Sequence, residues 1–311
     1  MGKLAFIFPG QGAQYAGMGK DIAENYKEAM EIFDKANASL EFNIKDLCFN
    51  GPEEELKKTE ITQPAILTVS VAILQVLNQK GIIPDVVAGL SLGEYTALVA
   101  SSVISFEDAV VLVRKRGKFM QEAVPLGVGG MAAILGLSKE EVMECCKKAS
   151  SEGIVEPANF NCPGQIVIAG ELRALDRAME YAKELGAKRA TILPVSAPFH
   201  CKMLIPAGEK LKEELDKISF NDLKIPVISN VTADYILNKN QIKELLVKQV
   251  YSPVLWEDTI VKMLSDGVDT FIEVGPGKTL SAFVKKISKN ARVHNIEDTE
   301  SLQKTIGEIE R

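Results

Sequence analysis

Histidine is scarce in this 311-residue chain: only His200 and His294 occur, beside five cysteines and one tryptophan. So few imidazoles give a zinc site little to draw on, and none of Cys48, Cys145, Cys146, Cys162 and Cys201 forms a C-x-x-C pair. An odd, scattered set of cysteines points to free thiols in a reducing compartment, and no metal site is expected. Basic charge is short as well. The 36 Lys and Arg stand against 42 Asp and Glu, a net charge of −6, which is not the footprint of a nucleic-acid binder. Lys285, Lys286 and Lys289 form one small basic cluster, read as a solvated helix face. Long hydrophobic runs are missing: the most apolar stretch, residues 65–77, is interrupted by Thr68, Ser70 and Gln75 and reads as a core helix, not a membrane span. The N-terminus has no charged region followed by a long apolar segment, so no secretory signal is expected. Phe6 stands where myristoylation of Gly2 wants Ser or Thr. With no repeat and no low-complexity segment, the expectation is a cytoplasmic globular protein with neither membrane nor nucleic acid as a partner.

The length leaves room for one large domain or two moderate ones, with ample core. Residues 4–8 form a short apolar run ending at Pro9-Gly10, which reads as a buried strand entering a loop. Helical spacing follows over 20–38 and 64–79, then a strand over 85–88 and a helix over 92–100. Strand, tight turn and helix in alternation predict an α/β fold with a parallel sheet covered by helices. The pattern changes at Pro125-Leu126-Gly127. From there the order is strand 131–135, helix 138–150, strand 154–160, strand 165–169, helix 171–185 and strand 190–195. That βαββαβ order matches a ferredoxin-like unit. The expected organisation is a core of residues 1–125 and 198–311 with a small subdomain, 126–197, inserted in it. After Pro198 the alternation resumes with a helix, a strand over 227–231, further helices, a strand over 270–274 and a closing helix.

Gly89-Leu90-Ser91-Leu92-Gly93 fits G-x-S-x-G between a predicted strand and a predicted helix, the context in which this motif projects a serine hydroxyl from a sharp turn. Ser91 then sits at a helix N-terminus, where the Leu92 N–H is free to bind an oxyanion. A serine nucleophile needs a base. His294 belongs to a predicted, partly exposed strand. His200 follows Ser196-Ala197-Pro198-Phe199, a stiff loop at the domain junction, and is the expected base. Cys201 beside it is a rival nucleophile, but adjacent residues seldom face each other.

On the helix over 107–122, Ala109, Leu112, Val113, Gly117 and Met120 recur at helical spacing and mark a buried face. Arg116 falls inside that face; Arg114, Lys115 and Lys118 fall outside it. A buried arginine needs a partner anion. The spacing leaves two readings open, a structural salt bridge to an internal acid or a bidentate clamp on a substrate carboxylate. Two glycine-rich segments mislead. Gly10-Gln11-Gly12 lacks the third glycine of a dinucleotide loop, where Tyr15 stands, and Gly277-Lys278-Thr279 lacks the leading glycine of a P-loop, where Ile272 stands. Gln11 keeps an interest of its own, since an amide in a glycine loop can supply a second oxyanion donor.

Together these segments resemble the malonyl-CoA:acyl carrier protein transacylase family of fatty-acid synthesis. The motifs are Phe8-Pro9-Gly10-Gln11-Gly12-Ala13-Gln14, Thr62-Gln63-Pro64-Ala65, Gly89-Leu90-Ser91-Leu92-Gly93-Glu94-Tyr95 and Arg116-Gly117-Lys118-Phe119-Met120-Gln121. Asn159-Phe160-Asn161-Cys162-Pro163-Gly164-Gln165, Pro198-Phe199-His200 and Glu273-Val274-Gly275-Pro276-Gly277 follow in the family's order over nearly the whole chain. The resemblance implies an α/β-hydrolase-like core with a ferredoxin-like subdomain and an active site between them. It implies a ping-pong reaction in which Ser91, deprotonated by His200, takes malonyl from malonyl-CoA and passes it to the phosphopantetheine thiol of acyl carrier protein. No cofactor bound to this chain is implied. Gln11 and the Leu92 amide would hold the oxyanion and Arg116 the malonyl carboxylate. The family's histidine is oriented by a backbone carbonyl, here that of Gln249, and Gln63 and Asn161 match cleft residues. Phe199 is bulky beside the base and would exclude substituents on the malonyl α-carbon. The family resemblance suggests a monomer. One departure is Leu90, where the family commonly has histidine. A serine esterase or thioesterase, a non-catalytic carrier-binding module and a free-standing polyketide acyltransferase are the alternatives.

Overall fold

The computed structural model describes residues 2–195 and 197–309; Ser196, in the loop leading to His200, lies outside them. Strands β1 (Lys3–Phe8), β2 (Val86–Gly89), β7 (Val268–Val274) and β8 (Arg292–Ile296) form a parallel sheet in the order β2-β1-β7-β8. Strands β3 (Gly129–Leu135), β4 (Val155–Cys162), β5 (Gln165–Glu171) and β6 (Arg189–Ile192) form a separate antiparallel sheet in the order β4-β5-β3-β6. The expected α/β class holds, and the second sheet has the strand order of a split βαβ unit.

The parallel sheet is covered on both faces, which is why its strands read as unbroken apolar runs. Along β1, Ala5 and Ile7 join a core with Val86, Trp256, Ile260, Phe271 and Val284, while Phe6 and Phe8 join another with Leu67, Val71 and Ile272. The central strands of the antiparallel sheet, β3 and β5, are likewise buried on both faces. Ala132, Ile134, Ile166 and Ile168 pack under the helices Lys139–Ala149 and Leu172–Glu184, and Met131, Val167 and Ala169 turn to the larger core. Ser138 caps the first of these helices through a reciprocal capping box with Glu141. A bridge from Asn159 to Val254 ties β4 to the rest of the molecule.

Several predicted boundaries shift. The helix over 20–38 is two helices, Lys20–Asn25 and Lys27–Ser39, because Tyr26 is extended at φ −130°. The core helix runs from Thr59 to Gln79, so Pro64 lies inside it; the turn before the proline is closed by the Ile61 and Thr62 N–H groups on the Lys58 carbonyl. The strand over 227–231 is not a ladder strand. Val227 bridges Val87, and then the chain turns between Ser229 and Asp234. The strand over 190–195 is shorter, ending at Ile192. The closing helix, Thr279–Ile287, is followed by β8 and a further helix, Thr299–Ile309. The helix Thr59–Gln79 is long and apolar enough to cross a membrane, but 83% of its most apolar window is buried in the protein.

Candidate active site

The carboxyl ends of β1 and β2 open into one cleft of about 260 Å³, where ligands of open α/β sheets commonly lie. Its walls come from both sheets: Gln11, Ser91 and Arg116 on one side, Met131, Asn161 and Val167 on the other. Ser91 stands between β2 and the helix Gly93–Ala100 at φ 54°, a left-handed conformation that a non-glycine residue adopts at some cost. The flanking glycines allow the tight approach: a Cβ on Gly89 would overlap the Gly93 carbonyl, and one on Gly93 would overlap the Phe8 carbonyl. The Asn230 side chain braces the elbow. Its Oδ1 accepts the Ser91 N–H at 2.6 Å, and its Nδ2 donates to the Gly89 carbonyl at 2.7 Å.

His200, buried and also left-handed at φ 62°, places Nε2 2.7 Å from Ser91 Oγ. Its Nδ1 lies 2.8 Å from the Gln249 backbone carbonyl. A carbonyl only accepts, so Nδ1 carries the proton and the Nε2 lone pair faces the serine hydroxyl. Burial, helped by the Arg116 charge, pushes the imidazole down to about 3. The ring is therefore neutral, as a base must be. The rivals are elsewhere: the Cys201 thiol donates to the Pro198 carbonyl and burial pushes it up to about 12, and His294 pairs with Glu308 at 3.0 Å.

Arg116 is buried, as its place on the helix Phe106–Glu122 predicts, while Arg114, Lys115 and Lys118 pair with Glu41, Glu214 and Glu122 outside. Its Nη1 donates to Gln63 Oε1 at 2.8 Å, and its Nη2 to Gln249 Oε1 at 2.9 Å and to Ser91 Oγ at 3.2 Å. These partners are amides and a hydroxyl, not an acid, so the salt-bridge reading does not describe it. The guanidinium also lies 5.2 Å over the Tyr95 ring. Glu94, on the next turn, is buried, and burial raises its carboxyl to about 7. The Gly93, Glu94 and Tyr95 N–H groups donate to the Leu90, Ser91 and Leu92 carbonyls; among the described residues no acceptor takes the Leu92 N–H. Gln11 lines the cleft with its amide turned to Thr59 Oγ1 at 3.4 Å. Gln63, Asn161, Phe199 and Leu90 line it too, and the five cysteines are free and buried.

The Acyl transferase domain family matches residues 5–310. The malonyl CoA-acyl carrier protein transacylase of Bacillus subtilis (strain 168) is 51% identical over 307 residues, covering 98% of this chain and 97% of that protein. The chain belongs to the malonyl CoA-acyl carrier protein transacylase family. The crystal structure of the family's Clostridium perfringens member is 56% identical and superposes with a TM-score of 0.97 over 99% of this chain and 97% of that one. Another similar structure, PlMCAT bound to the type II PKS acyl-carrier protein AntF, is 43% identical with a TM-score of 0.96 over 98% and 99% of the two chains.

In this transacylase-family chain the structure gathers Ser91, His200, Gln11, Leu92, Arg116, Gln63, Asn161, Phe199 and Gln249 around one cleft. Two further residues carried no role in the sequence. Asn230 lies in what reads as a strand and gives no local signal. Glu94 does give one, being a carboxylate in the first turn of an otherwise uncharged, buried helix, Gly93–Ala100. The side chain of Gln249, as distinct from its carbonyl, is the third surprise.

Proposed function

We propose that this chain transfers malonyl from malonyl-CoA to the phosphopantetheine thiol of acyl carrier protein, through a malonyl ester on Ser91. The observation that carries this is Arg116: a buried guanidinium 3.2 Å from the nucleophile, held by neutral amides, awaiting an anion. An esterase has no use for a cation there.

His200 Nε2 takes the hydroxyl proton as Ser91 Oγ attacks the thioester carbonyl. The oxyanion of the tetrahedral intermediate accepts the Leu92 N–H and, once its amide swings from Thr59, Gln11. The C–S bond breaks and His200 returns the proton to the CoA sulfur. In the second half the carrier thiol gives its proton to His200 while its sulfur attacks the ester, and Ser91 leaves with that proton. The Gln249 carbonyl keeps the imidazole in the tautomer both halves need. Arg116 pairs with the malonyl carboxylate throughout, Gln63 and Asn161 complete the polar lining, and Phe199, bulky beside the base, disfavours a substituent on the α-carbon. None of these steps asks for a metal or a cofactor of the chain's own.

Residues 1–125 and 198–311 act as the catalytic core and 126–197 as a small subdomain closing the cleft. The chain works as a cytoplasmic monomer, away from membrane and nucleic acid, and serves fatty-acid synthesis. The complex of PlMCAT with a polyketide carrier gives a polyketide role the same chemistry, and the choice of carrier separates the two.

Intact-protein mass spectrometry after brief exposure to malonyl-CoA is the direct test. One malonyl adduct on the native chain, missing in Ser91→Ala and discharged by fatty-acid acyl carrier protein, is expected. An adduct lost to water as fast as to carrier would mean a hydrolase, and no adduct at all a binding module.

A further inference from the structure

Glu94 is a fully buried carboxylate on the helix that carries the nucleophile, and no step of the transfer uses it. Its Oε2 accepts two hydrogen bonds, from the Asn230 N–H at 3.0 Å and from the Gln249 side-chain NH2 at 2.7 Å. The same NH2 donates to the Ser91 carbonyl at 2.9 Å, and the other end of that amide, Oε1, accepts from Arg116 Nη2 at 2.9 Å. A primary amide has one donating end and one accepting end, and a flip exchanges them. Flipped, Gln249 would set NH2 against the guanidinium and Oε1 against the carboxylate. Glu94, together with the Ser91 carbonyl, therefore sets which end of Gln249 meets Arg116. The other in-plane restraint on the guanidinium is Gln63, on Nη1. Without Gln249, Nη2 has no fixed acceptor except the reacting hydroxyl itself.

We propose that Glu94 is a specificity-determining positioning residue: by fixing the Gln249 amide it holds Arg116 over the Ser91 ester, where the substrate carboxylate is read. This role rests on the function proposed above, in which Arg116 reads that carboxylate. Glu94 touches no substrate. It acts at two removes, and its loss falls hardest on substrates that carry the charge.

Loading rates with malonyl-CoA and with acetyl-CoA are to be measured on the native chain, Glu94→Met, Glu94→Gln and Arg116→Ala. The ratio of the two rates within one preparation does not depend on how much of it is folded. In Glu94→Met the malonyl-to-acetyl ratio should fall about tenfold or more, chiefly through KM for malonyl-CoA, as for a buried donor left without its acceptor. In Glu94→Gln it should stay within roughly threefold of native, because the new carbonyl oxygen accepts the same two bonds. Equal loss of both rates in Glu94→Met overturns the role, as does a Glu94→Gln ratio as low as that of Glu94→Met. In either case a depressed ratio in Arg116→Ala leaves the reading of Arg116 standing. A native ratio in Arg116→Ala removes that reading, and the role of Glu94 with it.

Discussion

At the scale of single residues, the site is built from groups kept in states that water would not favour. His200 is the clearest. Its burial beside Arg116 holds it down to about 3, so the base stays unprotonated far below the ordinary histidine range. The rate of Ser91 acylation should therefore show no inflection near 6.5. Quenched loading assays from pH 5 to 8 check this, and a half-loss of rate centred on 6.5 would mean that the ring is not held neutral. The stability consequence has the opposite convenience. The unfolded imidazole binds a proton below about 6.5 and the native one does not, so this residue costs stability as pH falls from there toward about 3. Arg116 is the second such group. Its guanidinium has no paired acid: Gln63 and Gln249 accept from Nη1 and Nη2, while Nε is buried with no partner among the described residues.

At the scale of elements, the strand–turn–helix unit around Ser91 depends on two contacts too close for any side chain. Gly93 faces the Phe8 carbonyl, and adding a methyl there would push the helix Gly93–Ala100 away from β1. Gly93→Ala should cost roughly 1–3 kcal/mol in urea unfolding, the usual penalty of overpacking. It should also abolish acylation, because Ser91 would leave its 2.7 Å contact with His200. Gly307 is the control. It lies in the helix Thr299–Ile309 with open space around it, so Gly307→Ala should stabilise by about 0.5–1 kcal/mol and leave loading alone. If the two substitutions behaved alike, close packing would not be the reason for glycine in the motif. The repeating elements were legible because their burial has a local signature, a period of 3.6 along the helix Phe106–Glu122 and short apolar runs along β3 and β5, which are buried on both faces. Residues 227–231 were misread for the same reason: their pattern is a strand's, but Ser229 turns to the Asp234 carbonyl and Asn230 hydrogen-bonds the elbow and Glu94.

At the scale of the whole molecule, the cleft exists because one sheet ends its strands toward the flank of another, and the groups at that junction answer to each other. Glu273 at the end of β7 is part of the same design. Its carboxylate accepts the Leu280 and Ser281 N–H groups at 3.1 and 2.7 Å, anchoring the helix Thr279–Ile287, which borders the cleft through Leu280 and Phe283. Burial raises this carboxyl to about 7, above its unfolded value, so the native state binds the extra proton between about 4.5 and 7. The stability it contributes is thus lost as pH rises through that window. Calorimetry of the native chain and Glu273→Gln at pH 5 and pH 8 should find the variant relatively more stable at pH 8, and a pH-independent difference would refute this. What the sequence by itself determined is what local pattern can encode: the α/β class, the ferredoxin-like order, the serine in its turn, and an arginine on a buried helix face. What only the tertiary structure decided is which distant amides and acids meet there. Asn230 reaches Ser91 across 139 residues and Gln249 across 158. Their side-chain hydrogen bonds follow no period, so nothing along the chain announces them until the sheets have brought them together.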